Sequence, residues 1–445
     1  MTNTQTNTPH QQTLSLAISH TPMHAYQWLV VVLAVVLNML DGFDVLAIAF
    51  TAKSIQSELG LSGAQIGTLM SAGFIGMAIG SVGLAPLADK FGRRPLLMLA
   101  TLLSAVGMLG TYFAASFEAI GFWRVVTGLG VGGILPCTNV IVSEYANQKW
   151  RGLAIAIYAC GFGVGATLGG VSAVMLQDEF GFRSVFLTGA VLTALALVAL
   201  AAWLPESVAF LEQKQPANAL ARLTQIAQKI GKTGDWQLPT AKQTVKKAPI
   251  AQLFAPAQIR TTLLIWLAFI AVMSSFYFIS SWTPALLETS GLAKERSQTL
   301  GMAISLGGTV GSLIFGVLVS HFSAKSVLMA FVALSSLAII GFVASPTLAI
   351  ALVMAVLVGS LVNGCITGLY TINPTLYRTE FRSTGVGTAI GVGRISSIIS
   401  PILAGQLLDL GFGKDDLYLG ASGFILLALI ALYFLRTPNA QKTHA

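Results

Sequence analysis

Twelve long apolar runs, near residues 28–50, 64–88, 96–115, 120–142, 152–176, 182–204, 261–287, 299–320, 326–344, 348–374, 383–408 and 418–435, leave this chain few choices of fold. Each holds about 18–27 residues, enough at 1.5 Å per residue to cross a ~30 Å hydrocarbon core. Lipid offers the backbone no hydrogen-bond partners, so segments of this length satisfy themselves as helices. Hydrophobic residues make up 55% of the chain and charged residues only 9%, a balance that excludes a soluble globular domain. The expected class is an all-α polytopic membrane protein with twelve transmembrane helices in two six-helix bundles. An even number of spans puts both termini on one side.

One polar stretch interrupts the runs and sets the expected organisation: a tail over 1–27, a first bundle over 28–204, a linker over 205–258, a second bundle over 259–435 and a tail over 436–445. If the termini are cytoplasmic, that side holds eighteen of the 25 Lys and Arg residues; the other holds four, Lys53, Lys294, Arg296 and Lys414. The net charge of +8 therefore reflects membrane orientation and not nucleic-acid binding. The first 25 residues contain no Lys or Arg, so the basic region of a cleavable signal is missing and the first span is expected to be retained. Disorder is the expectation for this tail. Pro216 to Lys232 has the composition of a short amphipathic helix, and Lys242, Lys246 and Lys247 could meet anionic lipid; the stretch as a whole reads as a solvated linker. Cys137, Cys160 and Cys365 lie inside apolar runs without metal or redox spacing and read as small core residues.

The first run contains two acids, Asp41 and Asp44, and no other charge from Trp28 to Phe50. Ionisable groups at membrane depth are costly and mark function. Three residues apart, the two carboxylates share one helical face, placed to share a proton or a cation. Arg124 in the fourth run comes out at the same depth as Asp44, so an ion pair between them is feasible. Arg394 in the eleventh run lies near the midplane, where a guanidinium could grip a carboxylate bidentately. Asp41, Asp44 and Arg124 could instead form a permanently neutralised cluster that only orients helices. Arg183 reads as an interfacial snorkelling residue.

A weak internal repeat supports two related halves. RGLAIAIYACGFGVGATLGG (151–170) parallels RSTGVGTAIGVGRISSIISPILAG (382–405), and APLADKFGRR (85–94) parallels GVLVSHFSAK (316–325). Equal halves of six spans point to an alternating-access carrier.

GLAPLADKFGRRP (83–95) resembles the signature loop of the major facilitator superfamily between helices two and three, with Ala85 where that pattern usually has its first Gly. Arg124 with Gly128 and Gly130, Glu144 with Arg151 and Gly152, and Pro205-Glu206-Ser207 are similar elements. LDGFD (40–44), with Tyr277, Trp282 and Pro284 in the seventh run and Arg394 in the eleventh, resembles the aromatic acid:proton symporter family of that superfamily. The resemblance implies a carrier of the bacterial inner membrane that imports a small aromatic carboxylate, such as a benzoate, hydroxybenzoate or protocatechuate, with protons. It implies proton coupling by Asp41, Asp44 and Arg124, and substrate carboxylate binding by Arg394 and Arg124. Asp89, Arg93, Arg94, Glu144 and Arg151 fit a gating network between the halves, and the resemblance adds that Asp89 caps the eleventh helix. Tyr158, Phe162, Tyr277, Phe278, Trp282 and Tyr370 are candidates for an aromatic pocket. The partners expected are the aromatic acid, protons and the lipid bilayer, with the chain acting as a monomer, no metal and no cofactor beyond the proton gradient.

A carrier of another small organic anion, muconate- or shikimate-like, and a proton-driven drug exporter remain open. A membrane enzyme or receptor finds no support: there is no nucleotide loop or metal spacing, and three of the five His lie in the N-terminal tail. The GxGxG of the fifth run lies in an apolar span and follows no strand, so it serves packing.

Overall fold

The computed structural model describes residues 13–232, 234, 236–238, 253–256, 258–377 and 379–435, without the side chains of Ala85 and residues 379–383. After a short helix, α1 (Leu14–His20), the first six spans are α2 (Ala25–Leu59), α3 (Gly63–Gly83) with its short continuation α4 (Ala85–Phe91), α5 (Arg93–Phe113), α6 (Phe117–Tyr145), α7 (Arg151–Phe180) and α8 (Arg183–Trp203). Two short helices follow, α9 (Val208–Lys214) and α10 (Ala219–Lys229). The second six spans are α11 (Ile259–Thr289), α12 (Lys294–Val319), α13 (Ala324–Val343), α14 (Leu348–Ile372), α15 (Thr379–Asp409) and α16 (Lys414–Phe434). Successive spans reverse direction, so α2 starts and α16 ends on the same face, called here the terminal face; the opposite one is the distal face.

With lipid on one side and helix on the other, apolar surface alone does not choose a partner, and close backbone approach does. The crossing of α3 and α6 depends on it. A Cβ on Gly128 would fall on the Gly73 carbonyl, and one on Gly76 would fall on the Val125 carbonyl. The α4–α5 corner depends on Gly92, whose φ of 106° is open to glycine at little cost. That turn leaves the first N–H groups of α5 unpaired by the helix, and the Glu206 carboxylate accepts from Arg93 N at 2.8 Å and Arg94 N at 3.1 Å.

The polar ends are more ordered than their composition suggests. Residues Leu14–His20, expected as disordered tail, form α1, and Leu14 and Ile18 are fully buried. Glu212 accepts from Ser15 N at 3.0 Å, and Ser19 O accepts from Gln148 N at 3.0 Å. The stretch read as solvated linker contains α10, whose buried Leu223, Ile226 and Ala227 join Leu14, Ile18 and Trp236 in one apolar cluster under the first bundle. Its apolar face is thus spent on protein. Lys242, Lys246, Lys247, residues 1–12 and the tail 436–445 lie outside the described residues. Arg183, expected at the interface, pairs with Glu58 at 2.5 Å and donates to Ala114 O at 3.3 Å, tying distal loops together.

The two groups of six spans meet through α3 with α15, α2 with α11, and α7 with α12. Contacts concentrate toward the distal face. Ser71 Oγ donates to Ile398 O at 2.6 Å, Gln298 Nε2 to Phe50 O at 3.2 Å, and Lys294 pairs with Asp178 at 2.6 Å. Toward the terminal face the groups part, leaving a cavity.

Candidate functional site

That cavity has a volume of about 460 Å³, within the range of small-molecule sites, and runs from mid-depth at Phe74 and Tyr277 to Gly152 and Ile155 near the terminal end of α7. Its rings are Phe74, Phe162, Phe276, Tyr277 and Tyr370, with Phe74 and Tyr277 edge to face at 4.7 Å. Its polar lining comes from Ser305, Thr309 and Ser312 of α12 and Asn363 and Thr367 of α14, three or four residues apart on each helix, with Ser280 and Ser281 of α11. Asn363 Nδ2 donates to Gly308 O at 2.8 Å and Thr367 Oγ1 to Ser312 Oγ at 2.9 Å, which locks the two faces together. The side-chain oxygen of Asn363, Oδ1, accepts no hydrogen bond among the described residues and remains available to a donor in the cavity.

Half of the expected aromatic set lines this cavity: Phe162, Tyr277 and Tyr370. Tyr158, Phe278 and Trp282 do not. Tyr158 shares a hydrogen bond with Thr138 at 2.8 Å, Phe278 packs edge to face on Tyr418 at 5.4 Å, and Trp282 Nε1 donates to Pro401 O at 3.1 Å. Each points into a helix–helix contact instead. Cys160, expected in the core, lines the cavity, whereas Cys137 and Cys365 are buried.

Behind the cavity wall lie the charges. Asp44 and Arg124 are 2% and 1% exposed; Arg124 Nη1 meets Asp44 Oδ1 at 2.5 Å and Nη2 donates to Asp44 O at 3.1 Å. The guanidinium also lies 5.9 Å from the Phe186 ring centre. Gly73 beside it leaves room for the fork, since a Cβ there would stand 3.1 Å from Nη2. Arg124 is therefore committed to Asp44 and does not reach the cavity, contrary to its expected role as a carboxylate ligand.

Asp41 is buried as deeply, at 2% exposure, yet neither carboxylate oxygen accepts a hydrogen bond among the described residues. Arg394, on the second bundle, lies near Asp41 and the cavity tyrosines Tyr277 and Tyr370. Arg394 itself is partly exposed, and its guanidinium makes no hydrogen bond or ion pair among the described residues. Two acids one helical turn apart thus have unlike surroundings: one is bonded within its own bundle, and the other has no hydrogen bond among the described residues.

At the terminal face, Arg93 pairs with Glu144, and Ser207 Oγ accepts from Arg93 Nη1 at 2.6 Å while donating to Glu144 Oε2 at 2.6 Å. Arg94 donates to Ala201 O at 2.6 Å, and Arg151 reaches Ser19 Oγ at 3.4 Å. All these bonds stay in the first half of the chain. Asp89 is exposed and forms no ion pair among the described residues. The cap it was expected to place on α15 falls at residue 378, outside the described residues. Sequence reasoning noticed Pro205-Glu206-Ser207 but gave Glu206 and Ser207 no role. It missed the polar faces of α12 and α14 altogether, although the spacing of Ser305 with Thr309 and of Asn363 with Thr367 was there to be read.

A family model described as Major Facilitator Superfamily matches residues 31–311 and 267–445. The chain belongs to the major facilitator superfamily. It is a multi-pass membrane transporter and not an enzyme. Similar curated proteins place it in the aromatic acid:proton symporter family of that superfamily. The gallate transporter of Pseudomonas putida is 35% identical, covering 93% of each chain. The 4-hydroxybenzoate transporter PcaK of the same species is 30% identical over 90% of each. The 3-(3-hydroxy-phenyl)propionate transporter of Escherichia coli K12 is 30% identical, covering 91% of this chain and 92% of its own. Among solved structures, the inward-open xylose transporter XylE of E. coli superposes with a TM-score of 0.74 at 14% identity, covering 93% of this chain and 98% of that one. At that identity the match shows the fold alone.

Proposed function

We propose that this transporter imports a small aromatic carboxylate together with at least one proton across a bacterial inner membrane, by alternating access of bundles 28–204 and 259–435. The terminal face is assigned to the cytoplasm by the excess of Lys and Arg there, which makes the cavity inward-facing. Arg394 carries the reading: a guanidinium at mid-depth with no partner in the described chain, within electrostatic reach of two cavity tyrosines and of Asp41.

The chemistry follows from competition for that guanidinium. With Asp41 ionised, its carboxylate and the substrate carboxylate are rivals for Arg394. With Asp41 protonated, the rivalry ends and Arg394 is free to grip the substrate, while Tyr277, Phe162 and Phe74 flank the ring. Binding of the anion thus favours the protonated carrier, and the two ligands travel together by linkage. Asp44 and Arg124 hold α2 and α6 in register so that Asp41 faces the second bundle. The terminal network of Arg93, Arg94, Glu144 and Arg151, with Asp89, serves as the cytoplasmic gate. Substrate class is supported by the relatives named for gallate, 4-hydroxybenzoate and 3-(3-hydroxyphenyl)propionate.

Accumulating an anion against an inside-negative potential costs about 2.3 kcal/mol per charge per 100 mV, and entry with one proton removes that cost. The test is a panel of radiolabelled aromatic acids offered to proteoliposomes under an imposed inward proton gradient. Accumulation that a protonophore abolishes is expected; accumulation that survives collapse of the gradient would rule out symport.

A further inference from the structure

The spans α3 and α15 run antiparallel along the seam between the bundles, so the start of each lies beside the end of the other. At the distal end, Asp409 closes α15 and both its oxygens are taken. Oδ1 accepts from Gly63 N at 2.7 Å and Oδ2 from Ala64 N at 2.8 Å. A helix start has four N–H groups without an internal partner. In α3, Ser62 N donates to Gln65 Oε1 at 2.9 Å and Gln65 N to Ser62 Oγ at 3.2 Å, while Ile66 N makes the first internal bond, to Ser62 O. The remaining two are held by a carboxylate 346 residues away, on the other bundle.

The packing around this cap is built for close approach. A Cβ on Gly63 would stand 2.7 Å from Gly405 O, and one on Gly67 would fall on the Pro401 carbonyl. Below it, Ser71 donates to Ile398 O at 2.6 Å. No other distal helix start among the described residues takes its cap from the opposite bundle: α6 is capped by Ser116, and α14 by Thr347. The carboxylate also sits where the dipole of α3 favours negative charge.

We propose that Asp409 is a gating residue, the distal latch that holds the inward-facing state by capping α3 from across the seam. Rocking the bundles apart at this face withdraws the cap and returns both N–H groups to water, so the latch weights one state without blocking the other. Asp89 lies at the opposite, terminal end of α3–α4 and is exposed in this structure. The same pair of helices thus carries one acid at each end, one engaged here and the other exposed. The inference rests on the reading that the bundles alternate, and it is testable without measuring transport.

The full chain is placed in lipid nanodiscs, where both faces are open to a water-soluble maleimide and membrane orientation does not matter. In a Cys160→Ser background, which leaves the buried Cys137 and Cys365, Ala156→Cys reports the terminal opening and Ser71→Cys the distal one. Asp409→Ala should slow labelling of Ala156→Cys and speed that of Ser71→Cys, changing the ratio of the two rates by about 5-fold, the worth of one helix cap. Asp409→Asn keeps one acceptor oxygen and should fall between. Unchanged rates at both reporters, or faster labelling at both, which signifies loosening and not switching, would overturn the proposal. If labelling of Cys137 and Cys365 shows that Asp409→Ala is misfolded, Asp409→Asn decides by the same criteria. Reciprocal labelling shifts without any proton-driven uptake would uphold the latch and count against the proposed coupling.

Discussion

Asp44 with Arg124 and Asp41 with Arg394 are two acid–base pairs in one membrane protein, and they differ in what holds them. The first is dry, bonded at 2.5 Å and confined to helices of one bundle. The second spans both bundles and has no direct bond among the described residues, and its arginine is partly exposed. A closed buried pair is expensive to open, because breaking it strands a charge. An open pair can exchange partners at each turn of the cycle. The contrast suggests that the neighbouring acids divide the labour: Asp44 fixes geometry and Asp41 carries the exchange.

The sharpest way to break this division is to neutralise each acid. Asp41→Asn is expected to abolish accumulation and flatten the dependence of uptake on external pH, with the protein folded and inserted. Accumulation at the level of the unaltered protein would end the assignment. Asp44→Asn is expected to lower the amount of folded protein first, since Arg124 loses its counter-charge.

The arginines offer the next largest contrast. Arg124→Ala leaves the Asp44 carboxylate buried and unpaired and should cost about 3–5 kcal/mol of stability, seen as a large fall in Tm. Arg394→Ala breaks no bond in the described chain, so its Tm should shift little while substrate binding is lost. Equal falls in Tm for the two variants would erase the distinction between closed and open pairs.

A milder change separates charge from shape. Arg394→Lys keeps the cation but loses the planar fork, and should weaken apparent affinity about 10-fold, the worth of one charge-assisted hydrogen bond. Arg124→Lys should leave affinity near its original value. Uptake measured against concentration for both variants tests this, and a loss of affinity confined to Arg124→Lys would reverse the roles.

The smallest effect belongs to the polar wall of the cavity. Asn363→Leu removes the side-chain Oδ1 that no described donor uses together with the Nδ2 bond to Gly308 O, and should weaken binding of ring-hydroxylated acids about 5-fold more than that of unsubstituted benzoate. Competition assays with matched acids would show it. Equal losses for both acids would mean that Asn363 shapes the cavity without reading the ring.

Much of this arrangement is legible in the sequence. The twelve spans follow from run length, and the meeting of Asp44 with Arg124 followed from counting residues to a common depth. The division between Asp41 and Asp44 did not follow. Both lie on one helical face, and which of them meets the second bundle depends on how α2 is rotated. The same limit explains the aromatic set: Tyr277 lines the cavity while its neighbour Phe278 packs on Tyr418. One residue step turns a side chain by 100°, and hydrophobicity carries no phase where every face of the helix is apolar.

By itself the sequence determined the class, the number of spans and the family, because those depend on length, composition and motifs read along one dimension. Tertiary structure decided which charges are closed and which are open, which rings face the cavity, and that Asp409 caps a helix from the other bundle. Those depend on helix rotation and on contacts between residues hundreds of positions apart, where glycine carbonyls and single hydrogen bonds choose among packings that an apolar sequence leaves nearly equal in energy.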